Sequence, residues 1–291
     1  MVTEIGHKRR RSSIIPEILN GEPNGVGNLR IGARFTPKSK EHQLMSWDYL
    51  QKVVTADDLD KLIRHPDCEN EYIDWAKGIK AHYGGLENYI VKERLGWDKG
   101  DLPLVESNAS PTQFFNDIIM NDLSNIKVVF NDWPYAIPLD CKHYVVWCKY
   151  PIISPALFAS PDTPFPPGRS RDVLMKAIIA DGIRGETGNV DKRLPIIGDK
   201  SSEIVKEALE FPEMASNPAS TSPLGETGLG PASDLAEAAH LWAGRFVKKF
   251  IGHFWDPREY ETAFFCNPAH LRTVPGISHF HVISRKKQAE E

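Results

Sequence analysis

The chain has 291 residues, of which 41% are hydrophobic, 10% aromatic and 25% charged, with 39 acidic against 35 basic side chains and a formal net charge of -4. That length suffices for a sizeable core in one large domain, and the acidic balance argues against a surface that grips nucleic acid over its whole extent. No apolar run reaches the roughly 18 residues of a membrane span, and four dispersed cysteines without a CxxC pair suggest neither a disulfide framework nor a zinc knuckle.

A soluble, cytoplasmic protein is therefore expected, with no membrane association and no DNA partner. Residues 1–40 carry Gly, Pro and Asn at short intervals and read as a flexible N-terminal arm. Its basic run Lys8-Arg9-Arg10-Arg11 reads as a solvated tail, with a targeting or RNA-contacting arm as the sharper alternative. Residues 41–291 read as a single domain.

From Glu41 the pattern turns helical: Leu44, Trp47, Leu50, Val53 and Val54 recur near helical spacing, and Thr55 with Asp58 starts a second short helix. A third helix begins near Asp67 and carries Tyr72, Ile73 and Trp75. A fourth, "LENYIVKERLGW", has an apolar stripe of Leu86, Tyr89, Ile90 and Leu95. On it Lys92, Glu93 and Arg94 alternate charge as a solvated face does. These four form an N-terminal helical cap.

"TQFFNDIIM" suggests a further helix, and "IKVVF" (126–130) and "HYVVW" (143–147) have the β-branched and aromatic content of strands. Six prolines in 151–170 argue against regular structure, and a helix follows near 171–180. Residues 181–232 are rich in Gly, Ser, Pro and acidic side chains and read as an irregular insertion holding one short helix, "SSEIVKEALEF". "SDLAEAAHLWAGRFVKKFIGHFW" reads as one long helix capped by Ser233 or Asp234. "YETAFFC" and "HFHVIS" are two closing strands. The fold class expected is α+β: a small antiparallel sheet of about four or more strands packed with helices.

The chemistry-bearing residues gather at strand mouths. In Asn131-Asp132-Trp133-Pro134-Tyr135 the Asn and Asp favour a turn, while Trp133 and Tyr135 offer flat faces with polar edges. His143 leads one strand, and His279 and His281, two apart, project from one face of the last. If those strands are neighbours, three imidazoles meet. Such a group would suit a metal, or one member would act as nucleophile or general base. Singly, each histidine reads as structural. Asp132, Asp256, Glu259 and Glu261 are the candidate carboxylates, able to receive a guanidinium by paired hydrogen bonds or to move protons.

"ENYIVKERLGW", "NDWPYAIPLDCKHYVVW" and "YETAFFCNPAHLRTVPGISHFHV", in that order, resemble the fungal domain-of-unknown-function family that contains the N-acetylglucosamine-induced proteins. The resemblance covers roughly residues 41–284 outside the insertion. That family also looks to include the arginine-containing cyclodipeptide synthases, which implies aminoacyl-tRNA partners (arginyl-tRNA and a second charged tRNA), a diketopiperazine product and no cofactor. On that reading Asp132 or Glu261 receives the arginine guanidinium, one of His143, His279 and His281 moves the proton, and Asn131 or Asn267 contacts the carbonyl or oxyanion. Trp133 and Tyr135 flank a side chain or the terminal adenine. Asp256 and Glu259 are further candidates for substrate contact. The Asp-Asp-x-x-Glu string associated with the synthases is absent: Asp57-Asp58 is followed by Leu59-Asp60-Lys61. Two alternatives stand beside this one. "HFHVISR" faintly resembles a histidine-triad phosphate-processing pattern with Ile283 in place of the third His, and a non-catalytic metabolite-binding regulator fits the induced-protein relatives.

Overall fold

The computed structural model describes residues 44–102, 113–189, 194–196, 198–215, 227 and 229–288. The expected N-terminal arm and its basic run lie outside the described residues.

Five strands form one antiparallel sheet: β1 (Ile126–Phe130), β2 (Lys142–Cys148), β3 (Ile183–Thr187), β4 (Tyr260–Cys266) and β5 (Ser278–Lys286), in the spatial order β1-β2-β5-β4-β3. The two His-bearing strands are neighbours, with Val145 opposite His281 and Trp147 opposite His279. β2 and β5 are buried almost end to end because both faces of the sheet are covered.

One face receives the C-terminal helices. α5 (Arg169–Asp181), α6 (Asp199–Leu209), α8 (Pro231–Ala243) and α9 (Arg245–Phe254) pack there against Tyr144, Val146, Phe264, Phe280 and Val282. In α9, Val247, Phe250, Ile251 and Phe254 are the buried set, the i, i+3, i+4, i+7 stripe of an amphipathic helix. α8 buries Ala236, Ala238, Ala239 and Ala243, side chains small enough to let it approach closely. The single long helix expected here is two helices meeting at Gly244. α8 starts at Pro231, before either expected cap, and Asp234 turns back to accept from the Thr227 N–H at 2.7 Å.

The other face carries the N-terminal helices expected as a cap. α1 (Trp47–Thr55) is capped by Ser46, whose hydroxyl accepts from the Tyr49 N–H at 3.2 Å, and buries Trp47, Leu50, Val53 and Val54 against Ala263, Phe265 and Ile283. α2 (Pro66–Tyr83) begins with Pro66, whose missing N–H is one no helix needs at that place, and ends at Gly84 in the left-handed region, φ 73°. α3 (Leu86–Tyr89) runs into a wider π-helical turn, Ile90–Arg94. That turn buries Val91 beside Leu95, Trp97, Val145 and Trp147. The expected short helix after Thr55 is a single 3-10 turn, Leu59–Lys61.

Three expectations are corrected. "TQFFNDIIM" is bends and one 3-10 turn, Ile119–Asn121; Phe115 is buried against Phe250 and Phe280, so tertiary contact rather than helical periodicity explains its apolar residues. The proline-rich 151–170 stretch does contain one helical turn, α4 (Ala156–Ala159). The stretch expected as an irregular insertion holds the expected short helix, α6, but also supplies the edge strand β3 and the short α7 (Pro212–Ala215). "IRGET" does not read as a strand because Arg, Gly and Glu are poor strand formers. Pairing with β4 and the burial of Arg184 between two aspartates, Asp57 Oδ1 at 3.0 Å and Asp181 Oδ2 at 3.5 Å, hold it there instead.

Among the described residues no helix is long and apolar enough to cross a membrane.

Candidate functional site

The N-terminal layer divides into two apolar clusters on the sheet, one around α1 and one around Val91 and Trp97. Between them the sheet surface is polar. His143 of β2 and His279 and His281 of β5 stand there on one face, each less than a tenth exposed.

His143 Nε2 and His281 Nδ1 are 3.0 Å apart. His281 stacks on Phe265 with ring centroids 4.9 Å apart, and His143 stacks on Tyr135 at 5.1 Å. His279 lies against Trp147 at 4.4 Å, and its Nδ1 is 2.9 Å from the Ile277 carbonyl. Burial disfavours the charged form of an imidazole. It pushes His143 down to about 3 and His279 to about 4. His281 is held well below its ordinary value, first by burial and then by His143 and His279. All three are neutral at physiological pH.

The loop after β1 closes over them. Asn131 Oδ1 accepts from the Trp133 N–H at 3.0 Å, the local turn that its residue type favours, and the Asn131 amide nitrogen is 3.3 Å from the His143 ring nitrogens. Asp132 Oδ1 accepts from Arg94 Nη2 at 2.8 Å. Arg94, expected on a solvated face, is 10% exposed in its side chain, because the π-helical turn carries it inward to this carboxylate. Arg64 donates from Nε to the Trp133 carbonyl and from Nη1 to Glu69, with its guanidinium 4.1 Å above the Tyr72 ring. The loop is tied to the N-terminal layer by the Ala136 N–H to Ile63 carbonyl bond at 2.9 Å.

These residues line a half-open cavity of about 110 Å³. His279 and His281 line it beside Asn131, Asp132, Arg64 and Arg94. Tyr72, Trp75, Tyr89, Trp133 and Trp147 supply an aromatic wall, with Trp75 and Trp133 rings 5.3 Å apart. The Trp133 indole N–H is buried without an acceptor. A cavity of about 150 Å³ holds benzene, so this one takes a group the size of an amino-acid side chain.

The expected residues divide accordingly. Asn131, Asp132, Trp133, His279 and His281 line the cavity, and His143 and Tyr135 lie directly behind it. Asn267 is buried, and its carbonyl accepts from Arg272 Nε at 2.8 Å; it does not line the cavity. Three of the candidate carboxylates lie elsewhere, which corrects the expectation that Glu261 joins Asp132 beside the histidines. Glu261 binds Arg285 Nε at 2.5 Å beside Asp140 and Lys287, because its register opposite Arg285 sets it at the far end of the sheet. Asp256 is taken by Arg258, and Glu259 is exposed.

Sequence reasoning missed Arg64, Tyr72, Trp75, Tyr89, Arg94 and Trp147. Tyr72 and Trp75, three apart on α2, are placed on a helix by the sequence but not assigned to a site; the surplus of rings on one helical face is the available signal. Among the described residues no group of three His, Cys, Asp or Glu side chains is arranged to hold a metal ion.

Residues 46–157 match a family described as "Protein of unknown function (DUF3605)". The match takes in Arg64, Asp132 and His143 and ends before β5. N-acetylglucosamine-induced protein 1 of Candida albicans is 21% identical over 120 residues, 40% of this chain and 47% of that protein. The chain thus spans about half the length of this curated relative. A crystal structure of HTC1 aligns over 82% of this chain and 84% of its own, at 18% identity and a TM-score of 0.37, a likeness too slight to carry an argument. The family resemblance read from the sequence is supported over the matched stretch; neither the family description nor the relative's name states a reaction.

Proposed function

We propose that the cavity is the active site of an aminoacyl transferase that joins arginine, delivered as its ester on tRNA, to a second tRNA-borne amino acid as a diketopiperazine. The observation that carries this reading is the company in one small cavity of neutral histidines, a carboxylate and an aromatic wall. The aromatic faces and Asp132 suit a planar cation, for which the incoming guanidinium competes with Arg94. The volume suits the guanidinium end of one arginyl group.

An aminoacyl ester is already activated, so the protein has little covalent work of its own. It must orient two amino acids, accept a proton from the attacking amine and hold the tetrahedral oxyanion. A neutral imidazole in the cavity provides the proton acceptor. Trp133, with its unsatisfied indole N–H, provides a donor for a carbonyl oxygen.

A second reading has one observation in its favour: Arg64 and Arg94 line the same cavity and would receive a phosphate. The Asp132 carboxylate in the same lining favours the aminoacyl reading, because it repels an anionic phosphate.

The test supplies arginine, the other amino acids, ATP, total tRNA and aminoacyl-tRNA synthetases, and looks for cyclic arginyl dipeptides by mass spectrometry with and without ribonuclease. A ribonuclease-sensitive product is expected. Nucleotide turnover without diketopiperazine would favour the phosphate reading. Saturable amino-sugar binding without turnover would favour a non-catalytic regulator.

A further inference from the structure

Which nitrogen of each histidine carries its proton follows from the hydrogen-bond partners. The Trp133 N–H needs an acceptor, so the Asn131 atom 3.0 Å from it is the amide oxygen and the NH2 faces His143. That NH2 lies 3.3 Å from both ring nitrogens of His143, but Nε2 also has His281 as a partner, whereas among the described residues Nδ1 faces only this donor; a proton on Nδ1 would have no acceptor, so Nδ1 is the bare nitrogen. A neutral His143 then carries its proton on Nε2 and donates it to His281 Nδ1, 3.0 Å away. His281 in turn carries its own proton on Nε2. His279 is fixed the opposite way: a carbonyl only accepts, so its Nδ1 holds the proton that Ile277 O receives at 2.9 Å, and its Nε2 is a bare lone pair. Neither the His279 nor the His281 Nε2 is among the sealed, unpartnered atoms, and both rings line the cavity.

We infer that the cavity presents a matched acceptor and donor: His279 Nε2 as general base and His281 Nε2–H as a neutral oxyanion donor, its tautomer set from Asn131 through His143. The chemistry rests on the transfer reading above; the proton positions do not. As the amine nitrogen bonds to the ester carbonyl carbon, His279 Nε2 takes the amine proton. When the carbon–oxygen bond to the ribose breaks, His279 returns that proton to the departing oxygen. His281 keeps its proton throughout and releases the oxygen when the carbonyl re-forms. Asn131 and His143 touch no substrate in this scheme and are positioning residues.

Long-range nitrogen–proton correlation NMR on the full chain with 15N-labelled histidine, at pH 7.5, reads the tautomers directly. His279 should show a protonated Nδ1 and a bare Nε2, and His143 and His281 the reverse. In Asn131→Ala the single-tautomer pattern of His143 and His281 should be lost while that of His279 persists, which also reports that the sheet is intact. A bare Nε2 on His281 or a protonated Nε2 on His279 in the unaltered protein would overturn the assignment. An unchanged His143 and His281 pattern in Asn131→Ala would overturn the role of Asn131. The expected tautomers without any diketopiperazine would sink the transfer reading and leave the assignment standing.

Discussion

His143 and His281 reach across two antiparallel strands and share one hydrogen bond of 3.0 Å between Nε2 and Nδ1, inside a layer that leaves each ring under a tenth exposed. Because neither ring is charged, the pair needs no counter-ion. The sheet can therefore hold it between two apolar clusters without the large penalty of a buried charge.

That neutrality makes stability depend on pH. The folded values of His143 and His279 are lowered to about 3 and about 4, whereas the unfolded chain titrates near pH ~6.5. Below that value the unfolded state binds more protons, so stability is full above it and is lost as the pH falls toward the folded values. Each such histidine removes about 1.4 kcal/mol per pH unit across the window. The melting temperature should fall steadily from pH 7 to pH 5, and His281→Gln should show a shallower fall. A flat profile over that range would mean that the rings are charged or solvated.

Asp132→Asn leaves the Arg94 guanidinium with a neutral partner in a mostly buried place. The expected loss is about 1–3 kcal/mol in urea denaturation, together with weaker binding of arginine esters. Retained affinity at reduced stability would remove Asp132 from substrate recognition.

Gly198 marks a second sensitive point. A Cβ there would stand 2.1 Å from Asp181 Oδ2, 2.5 Å from Arg184 Nη2 and 2.6 Å from Ser201 Oγ, within the network that locks β3 to the N-terminal layer through Asp57. Burial alone would raise the Asp181 carboxyl, but His240, Arg184 and Ser201 hold it well below the usual range. Gly198→Ala must push these partners apart, and a loss of about 3 kcal/mol or more is expected from disrupting a buried charge network. A calorimetric midpoint equal to that of the unaltered protein would show that the network gives way freely.

Glu261→Gln, by contrast, should leave product formation unchanged, since the carboxylate serves Arg285 at a separate surface. The pair is partly exposed, so the stability change should stay within about 1 kcal/mol. A strong loss of turnover at unchanged stability would place Glu261 back in the reaction.

How far the sequence spoke depended on the range of the interaction. Period-two and helical patterns are local, and they located β1, β2, β4, β5 and the N-terminal helices. The two-residue spacing of His279 and His281 likewise put both on one face. β3 escaped because its stability comes from Arg184 meeting Asp57, 127 positions away. Arg64 and Arg94 escaped for the same reason: their partners are the Trp133 carbonyl and Asp132, which no local window connects. Glu261 was misplaced because strand register, which sets it opposite Arg285, is invisible before the sheet is assembled.

If the histidine-floored cavity carries out the transfer, single-turnover kinetics with preformed arginyl-tRNA and a second charged tRNA will depend on His279. His279→Gln should fold with a near-native melting temperature and form diketopiperazine at least ~100-fold more slowly, the usual range for a lost general base. A variant that turns over at the unaltered rate, or an unaltered protein that releases no cyclic dipeptide from charged tRNA, would contradict that role for the cavity.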